Sequence, residues 1–439
     1  MRPPVLITLG FLGAALLGAL LLRLPAATPP GAPSLTFAQS CFTATSAVCV
    51  TGLTVVDTAR SLSFFGQLVV LILIQLGGLG VMTLAFLVFQ GLRNAMAQEA
   101  SEVLSGTLTE GVFRGGLKRS WILVFGGTLL VEGAGAVSLW ISLAGQDDRL
   151  WKAVFLSISG FCNAGLDVLP GGLGPLAGNP PFAGTLLGLW LIGGLGFLVP
   201  ASVLTFLRRR GRLPLDLNAR MILTASAVLI PLGALLFWVS EAFGGLLEGR
   251  NAGEQALLSL FQGNTCRTAG FSLLDLGQAR RITLGLLIPL MLIGGAPGGT
   301  AGGAKMTSVW IFFATIWTRI KGLETVRIGR RRIPREVIRR SVIICVLIFL
   351  IHGLVTLLLT ALEDPAGFRF EALAFEAASA LGTVGLSTGI TARLGEASQI
   401  VLILTMLVGR LGPITVVHTL VRRPAEKPIS YPPAEVHVG

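Results

Sequence analysis

The sequence predicts an all-α integral membrane protein with eight spans and four short re-entrant helices, repeated fourfold along the chain. Three observations carry this expectation. Of 439 residues, 53% are hydrophobic and only 13% charged, about half the charged share of a soluble globular protein. Uncharged stretches of roughly 20 residues, the length that crosses a bilayer as a helix, recur along the chain. Between them fall four shorter, mildly apolar segments, each running into a glycine-centred sequence at a nearly constant interval.

The first span is Pro3–Leu22. Arg2 before it and Pro25-Ala26-Ala27 after it imitate a secretory signal. It is read as a retained helix because the first repeat unit needs it. Ser61–Leu92 follows, then Ser120–Gln146 with Glu132 inside it, and a single apolar helix starting near Pro181 and reaching Arg208. Met221–Ser240, Ile282–Ala304, Ser341–Leu362 and Ala397–Val421, the last holding Arg410, complete the series. Most Lys and Arg lie in Arg93–Arg119, Arg208–Arg220, Arg319–Arg340 and the tail after Val421. Loop cations of this kind mark the cytoplasmic side, so both termini are expected there, at the cell membrane. Asp57, Asp147, Asp148, Asp167, Glu241, Glu248, Asp275, Glu363 and Asp364 fall in the alternate loops, hence outside. The net charge of +12 is thus a topological signal. Nucleic acid is excluded as a partner, because one Tyr and basic runs without aromatics offer no stacking platform. The five Cys, in apolar surroundings, read as small buried hydrophobes.

The short segments are Ser34–Val50, Trp151–Asn163, Gln255–Arg267 and Phe370–Thr383. They end in Val50-Thr51-Gly52-Leu53, Asn163-Ala164-Gly165-Leu166, Thr268-Ala269-Gly270-Phe271 and Thr383-Val384-Gly385-Leu386, whose glycines are 113, 105 and 115 residues apart. Non-helical backbone at membrane depth is tolerated only where it is buried in protein or lines a wet cavity. Four such loops about one axis would line a shared pore. Carbonyls ringed around that axis replace a cation's hydration shell without fixed charge, and the short helices aim their negative C-terminal ends at it. Side chains there are neutral (Thr51, Asn163, Thr268, Thr383, Ser387), too few carboxylates lie nearby for a Ca²⁺ or Mg²⁺ site, and Arg267 is the lone basic residue. A monovalent cation is the expected passenger.

Thr45–Asp57, Phe161–Asp167, Arg267–Phe271 and Gly382–Ser387 resemble the filter loops of the Trk/Ktr/HKT superfamily of potassium transporters, and the likeness extends over essentially the whole chain. The resemblance implies a pore of four M1–P–M2 units in pseudo-fourfold arrangement, with its selectivity filter at Val50, Thr51, Gly52, Asn163, Ala164, Gly165, Thr268, Ala269, Gly270, Thr383, Val384 and Gly385. Potassium is the implied permeant ion, since Gly rather than Ser at position 52 goes with potassium selectivity, and sodium is an activator or co-ion. No covalently bound cofactor is implied. The partners implied are a second copy, giving a homodimer with one pore per subunit, and a cytosolic KtrA-like regulatory ring that binds ATP or ADP. The units divide at 1–93, 94–210, 211–325 and 326–422. The tail 423–439 resembles the family's, and Ser430–Gly439 would insert at the dimer interface.

Gly294, Gly295, Ala296, Pro297, Gly298, Gly299, Thr300, Ala301, Gly302, Gly303, Ala304 and Lys305 include six glycines and one proline, through which no straight helix is stable. They are expected to form a loop that blocks the pore below the third filter, matching the intramembrane gating loop of the family. A charge inside a span is costly and functional by default. The resemblance places Arg410 beneath the filter as a barrier to cations. Glu132 is expected in a helix–helix hydrogen bond, His352 and His418 in packing, and Glu376 as a tie for the fourth short helix. Asp57 and Asp167 either concentrate cations at the outer mouth or are solvated rim charges. Arg327–Arg340 suits anionic lipid, positive-inside topology or an acidic cytosolic ring equally well. A different reading is an ion-coupled secondary carrier for a small organic solute, with a midplane site in the broken helices. An intramembrane enzyme is not expected, because three His and scattered carboxylates form no constellation.

Overall fold

The computed structural model describes residues 3–80, 116–208, 215–329 and 331–412. His418 and the tail 423–439 lie outside these residues. In chain order the main helices are α1 (Pro3–Leu22), α2 (Phe37–Val48) and α3 (Phe64–Gly80). Then come α4 (Gly116–Ser142), α5 (Arg149–Cys162), α6 (Pro180–Leu195) and α7 (Leu198–Arg208). They are followed by α8 (Leu217–Glu241), α9 (Ala252–Thr265), α10 (Arg281–Leu292) and α11 (Met306–Ile320). The last three are α12 (Arg335–Glu363), α13 (Phe370–Gly382) and α14 (Glu396–Leu411).

The short helices α2, α5, α9 and α13 sit inside, and the long ones surround them. Every residue of α13 from Ala372 to Gly382 is buried, whereas Leu130, Phe243 and Ile320 on the outer helices are more than 70% exposed. An outer surface this apolar is one that lipid covers. Capping chemistry moves the short helices from their expected bounds. Thr36 and Gln39 form a capping box, so α2 starts at Phe37 rather than Ser34. Asn251 accepts from Glu254 N at 2.8 Å, which starts α9 at Ala252, before the expected Gln255. Within the outer layer, Gln75 on α3 donates to both oxygens of Glu132 on α4 (3.3 and 3.2 Å), and between the layers His352 on α12 lies 3.1 Å from Ala374 O on α13.

One expectation needs correction. The single helix expected from Pro181 to Arg208 is broken after Leu195, and α6 and α7 meet at 90°. Gly196 turns the chain there with φ 65°, a conformation open to glycine and costly for other residues. Among the described residues, three helices alone are long and apolar enough to cross a membrane, with the bent α6–α7 pair a fourth candidate. Within the span Ile282–Ala304 the helix stops at Leu292, ahead of the stretch Gly294–Lys305 read as a loop, because the glycine-rich residues cannot propagate it. The basic stretch after α11 also holds a small antiparallel hairpin, pairing Arg327–Ile328 with Arg331–Arg332. Val326 and Ile333 pin it to Met221 and Ile311.

Candidate functional site

The twelve residues expected in the loops after the short helices lie together. A methyl placed on Gly52 would be 2.5 Å from Ala164 O and 3.2 Å from the Cα atoms of both Gly165 and Gly385. One on Gly165 would be 2.8 Å from Gly270 Cα and 2.9 Å from Ala269 O, and one on Gly270 would be 3.2 Å from Gly385 Cα and would meet Val384 O. One on Gly385 would be 2.9 Å from Gly52 Cα and would meet Thr51 O. The contacts run 52 to 165 to 270 to 385 and back to 52, a closed ring of four loops in chain order. Only glycine fits, since each loop's carbonyl occupies the space a side chain on the preceding loop would need.

Two residues before each glycine the backbone turns left-handed: Val50 (φ 53°), Asn163 (61°), Thr268 (65°) and Thr383 (48°). Among the described residues only Asp148 joins them as a non-glycine with positive φ. For β-branched Val50, Thr268 and Thr383 this costs on the order of 1–3 kcal/mol each and persists only where the surroundings enforce it. Hydroxyls on the last turns of the short helices supply part of that enforcement. Ser46 Oγ accepts from Gly52 N (3.1 Å) and Ser379 Oγ from Gly385 N (3.0 Å). Ser159 Oγ donates to Leu166 O and Thr265 Oγ1 to Phe271 O, each at 2.6 Å. Sequence reasoning missed all four. The signal was there: a hydroxyl stands six residues before the glycine in three loops and five before it in the third.

The stretch Gly294–Lys305 lies against this ring. A methyl on Gly302 would strike Thr383 Oγ1 and Gly382 O. Asn163, with its amide nitrogen set toward the carbonyls of Phe161 and Trp190 (3.2 Å each), donates to Thr300 Oγ1 at 3.0 Å. The stretch closes on itself through Gly294 N to Ala304 O (2.8 Å) and Met306 N to Gly295 O (3.0 Å). Arg410, 7% exposed, donates to Thr300 O and, at 2.8 Å, to Gly77 O on α3. Lys305 Nζ donates to Ala301 O at 2.6 Å.

The family profile of TrkH, cation transport proteins, matches residues 19–431. The chain belongs to the TrkH family of cation transport proteins. It is similar to the Ktr system potassium uptake protein B of Vibrio alginolyticus, 34% identical over 99% of this chain and 95% of that protein. The protein of the same name from Bacillus subtilis is 32% identical over 100% of this chain and 97% of its own length. The potassium/sodium uptake protein NtpJ of Enterococcus hirae is 33% identical, covering 100% and 98%. The crystal structure of the potassium transporter TrkH from Vibrio parahaemolyticus shares the fold, with a TM-score of 0.74 over 96% of this chain and 85% of that one at 19% identity. TrkH-family proteins are ion transporters, so this one is not an enzyme.

In this TrkH-family chain the inner helices approach the short ones through glycine. Methyls on Gly77 (α3), Gly193 (α6) and Gly409 (α14) would strike the last-turn carbonyls of Val48, Phe161 and Leu381. Glu376, fully buried, accepts from Ser387 Oγ (2.7 Å), Thr388 N (2.9 Å), Thr388 Oγ1 (3.2 Å) and Thr391 Oγ1 (2.7 Å), so it fixes the segment after the fourth loop. Arg267 turns away from the ring to Met306 Sδ at 3.5 Å. Asp167 follows the second loop and accepts from Leu169 N at 3.0 Å. Burial raises its pKa to about 6, opposed by that hydrogen bond and reinforced by the charge of Asp57.

Proposed function

We propose that the chain is the membrane subunit of a potassium uptake system, with eight spans in four M1–P–M2 units enclosing one potassium-selective pore. The observation that carries this reading is the closed ring of Gly52, Gly165, Gly270 and Gly385. Thr51, Ala164, Ala269 and Val384 each bring one carbonyl to that ring, and an ion that has shed water meets oxygens without fixed charge. The four short helices end at the ring, each contributing a partial negative charge of roughly half an elementary unit. Such a field attracts a cation weakly enough to let it leave again.

The stretch Gly294–Lys305 is the closed gate in this reading. It is neutral except for Lys305, and Arg410 adds a second cation beneath the filter. Both raise the barrier until the loop withdraws. The names of the similar Ktr-system proteins support assembly with a partner subunit, and the partner proposed is a KtrA-like cytosolic ring that binds ATP or ADP and moves the gate. Homodimerisation through Ser430–Gly439 and a role for sodium as activator or co-ion complete the proposal. The name of NtpJ couples both ions.

The test is rubidium-tracer flux into liposomes containing the purified chain, with potassium or sodium as competitor. Potassium should block and sodium should not. Gly52→Ser should admit sodium, because the added side chain collides with Ala164 O at a backbone φ of 96°. Absence of flux from a chain lacking Gly294–Ala304 would overturn the reading in favour of a carrier.

A further inference from the structure

We infer that the break between α6 and α7 is the latch that holds the gating loop shut, with Phe197 as its positioning residue; this rests on the reading of Gly294–Lys305 as the gate. The ends of the loop are tied to each other and to α10: Gly294 N donates to Ala304 O (2.8 Å), Ala304 N to Leu292 O (3.1 Å) and Met306 N to Gly295 O (3.0 Å). These bonds can survive any excursion of the middle. Arg410 of the fourth unit holds the middle through Thr300 O, and the second unit holds it through two backbone carbonyls. Ala296 N donates to Gly194 O at 2.9 Å and Thr300 N to Gly193 O at 3.3 Å. In an unbroken helix these carbonyls would accept from residues 197 and 198. The 90° bend opens them to the loop, Gly193 O also accepting from Gly196 N at 3.2 Å.

Shape follows the same plan. Gly196 presents bare backbone to the loop, and a methyl there would be 2.7 Å from Gly299 N. The Phe197 ring backs the loop at the neighbouring residue, 2.8 Å from where a methyl on Gly298 would lie. Further along α7, Val199 packs in one buried cluster with Ala296 of the loop, Met306 at the start of α11, and Ala219, Ile222 and Ala225 of α8. A shift of α7 therefore reaches both the loop and the helix that continues it. The far end of α7 is Arg208, at the edge of the basic stretch expected in the cytoplasm. A cytosolic partner pulling on that stretch would act on the gate through α7.

The experiment introduces Ala296→Cys, a fully buried position, and measures its labelling by a water-soluble maleimide in the full-length chain, with rubidium flux recorded in parallel. Phe197→Ala should speed labelling roughly tenfold by favouring local opening of the loop. It should raise flux without a change in potassium-over-sodium preference. Phe197→Leu should restore both towards the starting values, and Leu207→Ala, on the exposed side of α7, should change neither. Gly298→Ala, which presses on the ring from the loop side, should speed labelling too and serves if Phe197→Ala does not fold. Unchanged labelling in either folded variant overturns the latch. Faster labelling in chains that pass no rubidium supports the latch and overturns the pore reading instead.

Discussion

Replacing Glu376 by alanine removes the acceptor for every donor that secures the segment after the fourth loop. Oε1 takes bonds from Ser387 Oγ, Thr388 N and Thr388 Oγ1, and Oε2 from Thr391 Oγ1. The hydroxyls of Ser387 and Thr391 stand 2.9 Å apart and can pair with each other. The Thr388 backbone N–H, buried with its residue, has no such recourse. A bond to a charged acceptor contributes about 1.5–3 kcal/mol, and a stranded buried donor costs about 1–3. With the cavity left in the fully buried site, Glu376→Ala should lose on the order of 3–5 kcal/mol. Glutamine keeps an oxygen for Thr388 and Ser387, and the Thr391 hydroxyl can rotate to accept from the new amide. That change should cost only about 1 kcal/mol. Each 1.4 kcal/mol changes a population about tenfold, so the alanine variant should populate displaced loops and lose potassium-over-sodium preference, while glutamine retains it. Denaturation of the purified variants and competitive rubidium flux give the two numbers. If glutamine proves as damaging as alanine in flux, the negative charge itself acts on the ion, and the reasoning from hydrogen bonds is refuted.

Arg410→Ala removes the donors to Thr300 O and Gly77 O together with the cation. Basal rubidium flux should rise, and unchanged flux at normal expression would contradict a place in the pore. Asp167, with its pKa raised to about 6 by burial, is charged above that pH and neutral below it. Flux at low cation concentration should therefore fall as pH drops from about 7 to 5. Asp167→Asn should show no such step, and a flat profile in the unaltered chain would make the residue a mere rim charge. Deleting the tail back to Lys427 should weaken the dimer in light scattering, and a dimer of undiminished stability would remove the tail from the interface.

What was legible in the sequence was what the backbone needs locally. A positive φ and a neighbouring carbonyl in the place of a side chain together demand glycine, so Gly52, Gly165, Gly270 and Gly385 announced the loops, and Gly294–Gly303 announced a helix that could not continue. Contacts between distant segments left weaker marks. The break at Gly196 was masked by the hydropathy of α6 and α7, which runs through it without a polar residue. The hydroxyl braces Ser46, Ser159, Thr265 and Ser379 escaped because the third is one residue out of phase with the others. Gly77 and Gly193 open Gly-Gly pairs and Gly409 stands alone, all within helices, and what distinguishes them is a carbonyl from another helix. The hairpin at Arg327–Arg332 was hidden by its charges, which dominate any reading of composition.

The departure from fourfold likeness is concentrated in the third unit, and the physics of the two tasks accounts for it. Holding a dehydrated ion calls for similar oxygens from all sides, so the four loops repeat one backbone geometry even where one hydroxyl brace, Thr265, stands a residue nearer its glycine. Obstructing the path calls for one object only. Three inner helices reach the ring level intact, at Gly77, Gly193 and Gly409, and each packs against the short helix of its own unit. The fourth is interrupted between Leu292 and Met306, and its loop fills the space the other three surround. These three helices then bind the obstruction differently: Gly77 O accepts from Arg410, Gly193 O and Gly194 O from the loop itself, and α14 carries Arg410 beside Gly409. Methyls at the three glycines would therefore be equivalent in their push on the short helices and unequal in their effect on the loop. Gly193→Ala is the one that disturbs ring and latch together.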